Sequence, residues 1–205
     1  MDPPREVNKD SSAVTTEKKI EDLYNLIRGI GFCMMTTHCK DTGKLVSRAM
    51  SPRHPETPDA PADLWFYVNE NSPKVQDIEA DPNVNLAFHK QNTSEWISIS
   101  GTAKIVRDRN KIKQFYSPDV RPWFGDLHDG IHDGGPEDPR IALILVTADT
   151  VHYCLKDTGP TVQTFRIAKS LITGEPPKVS VERTLEQDEL KHGRHLREMD
   201  DSIVD

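Results

Sequence analysis

The chain has 205 residues, of which 35% are hydrophobic and 29% are charged, and its formal net charge at pH 7 is −7. This length predicts one domain with room for a sizeable core and for extensions. The acidic balance, without a basic stripe, argues against a nucleic-acid partner. No apolar run approaches the length of a membrane span, and the first residues are unlike a secretory signal. We therefore expect a cytoplasmic protein with no membrane partner.

The first quarter of the chain predicts one helix and two strands. Residues 1–16 are polar and lack periodicity, which predicts a disordered N-terminal segment. Apolar residues at helical spacing predict a helix over residues 17–29. Two strands follow, at 32–37 and 44–50, joined by a hairpin turn. Residues 51–62 contain four prolines, so we expect a surface loop there.

A strand that leads directly into a helix occupies residues 64–78. Apolar positions alternate with other residues at its start, the pattern of a strand with two different faces. Ser72 suits the N-cap of the helix and Pro73 its first position, so Lys74 falls in the first turn. A cation at that end of a helix is unfavourable unless an anion binds there. We weigh a solvent-exposed Lys74 against a phosphate cradle made by Ser72, Lys74 and the helix N-terminus.

The rest of the chain predicts more strands, a helix and a charged tail. We expect strands at 83–89, 96–106, 141–146 and 151–155, a short helix at 107–116, and a helix at 161–173. Gly101 interrupts its strand, as at a bulge or a close backbone approach. Antiparallel strands with few crossover helices predict a mainly β barrel.

We expect three segments in the chain. The barrel domain is predicted over residues 17–181, after the disordered N-terminal segment. Residues 182–205 are nearly all charged, which predicts a flexible C-terminal tail.

Two motifs resemble a known family. The segment F-Y-V-N-x-x-S-P-K, at residues 66–74, is similar to the F-Y-T-N-x-x-S-R-K segment of the pyridoxamine-phosphate-oxidase-like flavoproteins, the FMN-binding split barrels. The similarity continues through residues 81–88 and 96–103, and S-R-A-M at 47–50 resembles the family's phosphate-binding arginine strand. The resemblance covers residues 17–185 and is greatest to the general-stress-protein subgroup, with the fungal blue-light-inducible proteins as a further resemblance.

The resemblance implies a fold, a cofactor and a partner. The implied fold is mainly β, a six-stranded antiparallel split barrel with short helices. The implied cofactor is FMN, and the implied partner is a second copy of the chain, because related barrels build the flavin site across a two-fold interface. The implied cofactor-binding residues are Ser47, Arg48, Ala49, Met50, Phe66, Tyr67, Val68, Ser72, Lys74, Trp96 and Trp123.

The function implied is that of an FMN-dependent oxidoreductase of the flavin reductase or oxidase type, with a stress- or light-related role. Its substrate would be a nicotinamide or another small redox molecule, and no catalytic residue is identified. True pyridoxamine-phosphate oxidases carry a C-terminal segment rich in tryptophan, arginine and histidine, whereas no tryptophan follows Trp123 here. That departure argues against pyridoxamine-phosphate oxidation. The alternative function is a non-catalytic protein that stores or senses flavin.

Other ligands receive less support from the sequence. Related barrels also use haem or deazaflavin, and FAD is a further alternative to FMN. The spacing of His128 and His132 mimics a metal site, but the glycines at positions 130, 134 and 135 disfavour the helix that would align the two imidazoles. We therefore predict no metal site.

Overall fold

The computed structural model describes residues 14–53, 63–93, 95–156, 180–192 and 194. Within these residues the fold is mainly β, with seven strands and short helices. The strands are β1 (Cys33–His38), β2 (Leu45–Met50), β3 (Leu64–Asn69), β4 (Asn83–Lys90), β5 (Glu95–Val106), β6 (Ile141–Lys156) and β7 (Ser180–Leu185). The helices are α1 (Thr16–Ile30), α2 (Pro73–Ala80), α3 (Arg109–Phe115) and α4 (Arg121–Phe124), with a 3-10 turn at Pro118–Val120.

All paired strands are antiparallel, in the order β2-β1-β4-β5-β6-β3, with β7 added beside β6. The two ends of this path meet at one isolated bridge, between Arg53 and Trp65. Counting back from the bridge along both antiparallel chains, Met50 comes opposite Val68. We call this meeting of two otherwise unpaired strand edges, residues 48–53 and 65–70, the seam. A sheet that curves round to such an incomplete closure is a split barrel, as predicted.

The interior of the barrel is built by period-2 alternation. Leu64, Phe66 and Val68 point into the main apolar core, while Trp65 and Tyr67 contribute to a second cluster beneath α3 and α4. Alternation places the two sets on opposite faces of the strand, because successive Cβ atoms point in opposite directions. The two-faced strand predicted from the sequence is confirmed.

The long strand β5 contains the predicted irregularity. Its pairing with β6 shifts register between Ser100 and Gly101, which identifies a β-bulge. A Cβ atom at Gly101 would lie 2.1 Å from the carbonyl oxygen of Thr147, so only glycine fits this approach. Both features expected of Gly101, the bulge and the close backbone approach, are present.

One structural difference from the sequence-based expectation concerns β6. Two strands were predicted, at 141–146 and 151–155, but one continuous 16-residue strand spans both. Its first part pairs with β3 and its last part with β7, while β5 runs along the other edge. The residues between the two predicted strands therefore stay extended because β5 continues to pair with them across the bulge.

The C-terminal part of the barrel also differs from expectation. A flexible tail from residue 182 was predicted, yet residues 180–185 form β7 and residues 187–192 are helical. Leu185 and Leu190 are fully buried in the main core. Their burial extends the folded part of the chain to at least residue 192, so the boundary at residue 181 and the tail need correction.

The remaining predictions divide into two groups. Helix α1 begins after Thr15, whose hydroxyl accepts a hydrogen bond from the Lys18 N–H, and α3 begins after Asp108, which caps it in the same way. Both helices lie where they were predicted. The predicted helix at 161–173, most of the loop at 51–62 and most of the N-terminal segment lie outside the described residues. In the described part of the chain, no helix combines the length and apolar character needed to cross a membrane.

Candidate functional site

A pair of cations lies where the seam meets the N-terminus of α2. Arg48 is on β2 and faces inward, opposite Met35 of β1. Lys74 is in the first turn of α2, and its ammonium lies 3.2 Å from the sulfur of Met50. We refer to Arg48, Ser72 and Lys74 together as the cradle. Residues that are far apart in sequence thus meet because the strand edges of the barrel close at this point.

Lys74 lacks a carboxylate partner among the described residues. Burial lowers the pKa of Lys74, and repulsion from Arg48 lowers it further. A thioether sulfur is only a weak acceptor and does not neutralise an ammonium. Lys74 therefore keeps a half-buried positive charge that an anion could balance.

Arg48 has a partner that the sequence did not reveal. Its Nη2 donates to Oδ2 of Asp77 at 2.9 Å, and its Nη1 donates to the hydroxyl of Thr37 at 3.0 Å. Both acceptors are buried, with exposed fractions of 3% for Asp77 and 1% for Thr37. The only available signal was the position of Asp77, three residues after Lys74 on the same helical face.

Ser72 occupies the N-cap position of α2, with Pro73 at the first helical position. Its hydroxyl, however, makes no capping hydrogen bond. Pro73 has no N–H, and the N–H groups of Ser72 and Val75 donate to the carbonyls of Asn69 and Ser72. The Lys74 N–H and the positive end of the helix dipole therefore add to the charge of Lys74. The cradle therefore combines two cations, an unengaged hydroxyl and a helix N-terminus against a single buried carboxylate. That donor set fits a phosphate.

The side chains of the other predicted residues on β2 and β3 point in different directions. Ser47 and Ala49 alternate with Arg48 and are exposed on the outer face of the sheet. The side chains of Phe66 and Val68 are buried in the main core. The backbone N–H and C=O groups of these two residues point toward β6, because the Trp65 carbonyl accepts from the Arg53 N–H across the seam and successive residues of a strand face opposite edges. The backbone groups of β3 that face the seam are those of Trp65 and Tyr67.

Tyr67 points away from the main core, into the second cluster. The guanidinium of Arg53 lies 4.8 Å from the centre of its ring and also forms a bidentate ion pair with Asp119. Burial raises the pKa of Tyr67 to about 12, although the nearby Arg53 opposes this change. The Tyr67 side chain is thus a neutral packing group beside the seam, not a proton carrier at neutral pH.

The two predicted tryptophans are not brought to the cradle. Trp96 is partly exposed on β5, in register with His89 of β4 and Cys154 of β6. Three strand spacings, roughly 14 Å, separate β5 from β2 along the sheet. Trp123 projects from α4 with 87% of its surface exposed. Ligand contact by either side chain stays a prediction.

The segment that carries Trp123 nevertheless makes several buried hydrogen bonds and an ion pair. Asp138 is fully buried and accepts hydrogen bonds from Arg140 and from the Gly134 N–H, while Arg140 also donates to the carbonyls of Phe124 and Gly125. Burial tends to raise the pKa of Asp138, but Arg140 and the backbone donors outweigh it and hold the pKa at about 2. The exposed Trp123 side chain therefore lies on a segment that a buried ion pair and its hydrogen bonds hold in place.

The described residues contain no group of three or more histidine, cysteine, aspartate or glutamate side chains arranged to hold a metal ion. His132 instead forms a local pair with Asp129, at 2.6 Å. Hydrogen bonds from the backbone and ring of His132 lower the pKa of Asp129 well below its ordinary value. This pair stabilises its own turn.

Comparison with known proteins identifies the family. The family profile described as "Pyridoxamine 5'-phosphate oxidase like" matches residues 18–178. Protein bli-3 of Neurospora crassa is 38% identical over 193 residues, covering 94% of this chain and 91% of that protein.

Solved structures with a similar fold include general stress proteins and an FMN-binding protein. General Stress Protein 26 from Bacillus anthracis is 25% identical, with a TM-score of 0.53 over 66% of this chain and 92% of that one. A general stress protein 26 from Jannaschia has a TM-score of 0.61 at 21% identity, covering 84% and 99%. An FMN-binding protein from Nostoc punctiforme, related to pyridoxamine 5'-phosphate oxidase, has a TM-score of 0.54 at 15% identity, covering 84% and 97%. The chain belongs to the pyridoxamine 5'-phosphate oxidase-like family, as its sequence motifs predicted.

Proposed function

We propose that the protein binds FMN and uses it in an oxidoreductase reaction of the flavin reductase or oxidase type. The observation that carries this proposal is the half-buried ammonium of Lys74, which faces Met50 and Arg48 and has no carboxylate partner in the described residues. A bound phosphate would balance that charge. Family membership and the FMN-binding relative from Nostoc punctiforme support the choice of FMN over haem, FAD or a deazaflavin.

The residues of the cradle would have distinct parts in binding. Lys74 would contribute a point charge, and the N–H groups of Arg48 that Asp77 and Thr37 leave unused would donate to phosphate oxygens. The hydroxyl of Ser72 and the backbone N–H of Lys74 would complete the phosphate contacts. Bound FMN would supply the hydride- or electron-transfer chemistry. The free strand edges at the seam would then orient the ring through backbone groups of β3.

We also propose that the protein is a homodimer. The outer face of β1, β2, β4 and β5 carries a row of small or apolar side chains that are at least partly exposed, and no described helix packs over it. The row consists of Ala49, Met34, Ala87 and Ser98. Such a flat face suits a two-fold, isologous contact. In the dimer, Trp96 or Trp123 would reach the flavin site of the second copy.

The proposal includes a cytoplasmic location and a stress- or light-related role, in line with the relatives called general stress protein 26 and bli-3. The substrate would be a nicotinamide or another small redox molecule. The alternative is a non-catalytic flavin store or sensor. One observation favours this alternative. Asp77, the carboxylate in contact with the cradle, is already paired with Arg48 and is therefore not a free acid–base group.

The test starts with the absorption spectrum of the purified protein and with FMN and riboflavin titrations. We expect a flavin spectrum and tighter binding of FMN, because riboflavin lacks the phosphate. Anaerobic mixing with NADH or NADPH then separates the two functions: rapid bleaching supports an oxidoreductase, and a flavin inert to every donor supports a store or sensor. Equal affinity for the two flavins would contradict the proposal. Light scattering that gives 23.2 kDa for the flavin-loaded protein would contradict the dimer.

A further inference from the structure

Asp77 is a buried carboxylate that does not pair with Lys74, the lysine one turn before it on the same helix. It lies three residues after Lys74 on α2, a spacing at which helix side chains face each other and oppositely charged ones form ion pairs. No such pair forms. Oδ2 of Asp77 instead accepts a hydrogen bond from Arg48, and Oδ1 accepts one from the backbone N–H of Lys40, each at 2.9 Å. The carboxylate is therefore directed to β2 and to the β1–β2 hairpin.

These contacts hold one side of the Arg48 guanidinium and leave the rest available. The arginine fork carries five N–H donors, and within the described residues Arg48 uses one toward Asp77 and one toward Thr37. Both acceptors are almost fully buried, whereas 27% of the Arg48 side chain is exposed. The guanidinium is thus fixed at its buried end and presents its remaining donors beside Lys74.

We infer that Asp77 is a positioning residue for phosphate binding, which orients Arg48 toward the anion while leaving Lys74 unpaired. This inference rests on the proposed function. Two opposing effects of the carboxylate can be compared. As a negative charge near the cradle it weakens attraction to a phosphate, whereas as an anchor it holds a flexible arginine in the orientation that binds one. Because Nη1 and Nη2 of Arg48 are each held by a buried acceptor, we expect the anchoring effect to be the larger of the two.

Asp77→Asn tests which effect dominates, because it removes the charge and keeps the shape. The carbonyl of the new amide can still accept from the Lys40 N–H, but the amide nitrogen then faces the Arg48 donors and cannot hold them. If Asp77 positions Arg48, FMN affinity falls about 5- to 20-fold, less than the loss of a direct charge-assisted hydrogen bond because the effect is transmitted through Arg48, while riboflavin affinity changes less than about twofold. If only charge mattered, the variant would bind FMN more tightly.

A double-mutant cycle with Arg48→Ala shows whether Asp77 acts through the arginine. Once Arg48 is absent, we expect Asp77→Asn no longer to weaken FMN, because only the charge effect remains and its removal leaves binding equal or tighter. In a Lys74→Ala background the full weakening should persist. Glu79→Gln is the matched control, since Glu79 is on the same helix and pairs with Arg107, away from the cradle. If Asp77→Asn does not fold, Thr37→Val removes the other anchor of Arg48 and should lower FMN affinity selectively by a smaller factor.

The outcomes separate this inference from the proposed function. Equal losses for FMN and riboflavin, tighter FMN binding, or an undiminished effect without Arg48 would each overturn the positioning role. In those cases the phosphate cradle would stand, provided that the wild type prefers FMN and Lys74→Ala abolishes the preference. If the wild type shows no preference for FMN over riboflavin, the proposed function fails, and the inference about Asp77 fails with it.

Discussion

Two of the described regions that hold buried or partly buried cations differ in how their charge is balanced. Where α1 packs against β7 and the C-terminal helical residues, Lys19 pairs with Glu189 at 2.7 Å, Arg183 pairs with Asp22, and Arg194 pairs with Asp63. We call these three ion pairs the C-terminal clasp. In the cradle, by contrast, the carboxylate of Asp77 pairs with Arg48 and leaves Lys74 without a carboxylate partner among the described residues.

The difference separates structural from ligand-binding charges. A buried or partly buried ion costs free energy unless a partner compensates it, and each cation of the clasp has a carboxylate partner within the chain. The ammonium of Lys74 has none among the described residues, so the folded protein carries an uncompensated positive charge at the seam. This difference supports the proposals that the clasp stabilises the fold and that the cradle binds an anion.

The largest effect is expected from removing the clasp. A chain that ends at Glu182 loses Leu185 and Leu190, both fully buried, together with one partner of each of the three ion pairs. Each buried leucine is worth about 2–5 kcal/mol, a large share of the roughly 5–15 kcal/mol that stabilises a domain. We expect the cooperative melting transition to disappear. A chain that ends at Arg194 is the control and should melt like the wild type.

Removing one lysine charge from each region should change the stability of the flavin-free protein differently. Lys19→Met leaves Glu189 without its partner and should lower the free energy of unfolding by about 2–4 kcal/mol, because the pair is largely buried. Lys74→Met removes an uncompensated charge and should leave stability unchanged or raise it by up to about 1 kcal/mol. Urea unfolding measures both. A Lys74→Met variant as destabilised as Lys19→Met would remove the distinction between the regions.

Acid should weaken the clasp through Glu189. Burial tends to raise the pKa of Glu189, but hydrogen bonds from Lys19, the Glu186 N–H and Thr16 outweigh it and hold the pKa below its ordinary value of 4.5. A lowered pKa in the folded state contributes stability that is present above pH 4.5 and is lost as the pH falls through the folded-state pKa.

The wild type should therefore be more stable than Glu189→Gln by about 1–2 kcal/mol near neutral pH, and the difference should shrink in acid. Melting temperatures of both proteins across the acid range provide the measurement. A difference that stays constant down to about pH 3 would show that the Glu189 carboxylate is not the source of the stability, because an ordinary glutamate would be mostly protonated there.

A smaller effect is expected from inorganic phosphate on the flavin-free protein. An anion that binds only the folded state raises its melting temperature, and weak binding at the cradle should raise it by about 2–5 °C. Lys74→Met should abolish this increase, whereas Lys113→Ala, which removes a cation of α3 that is paired with Glu137, should keep it. Chloride at the same ionic strength serves as the reference. Equal stabilisation of all three proteins would mean that phosphate acts outside the cradle.

The sequence predicted the architecture well wherever local patterns decide it. Alternation on β3, the N-cap of α2 and the bulge at Gly101 follow from a few neighbouring residues, and all three are present. Strand β7 was missed because its residues include Glu182, Arg183 and Thr184, so its composition resembled a solvated tail. Its pairing with β6 and the burial of Leu185 depend on the rest of the fold.

The candidate site was predictable only in part. Arg48 and Lys74 were found through the family motifs, and the local physics of a lysine at a helix N-terminus supported one of them. The contact between Arg48 and Asp77 joins residues 29 positions apart, and no periodicity signals it. The same applies to Lys74 and Met50, which meet because the edges of β2 and β3 approach each other at the seam.

The most direct test of the central claim is to titrate FMN and riboflavin against the wild type, Lys74→Ala and Lys113→Ala, following flavin fluorescence. If the uncompensated charge of Lys74 binds the phosphate, Lys74→Ala should weaken FMN about ten- to a hundredfold and leave riboflavin nearly unchanged, while Lys113→Ala should match the wild type for both. Equal weakening of FMN and riboflavin by Lys74→Ala, or none for either, would contradict the account.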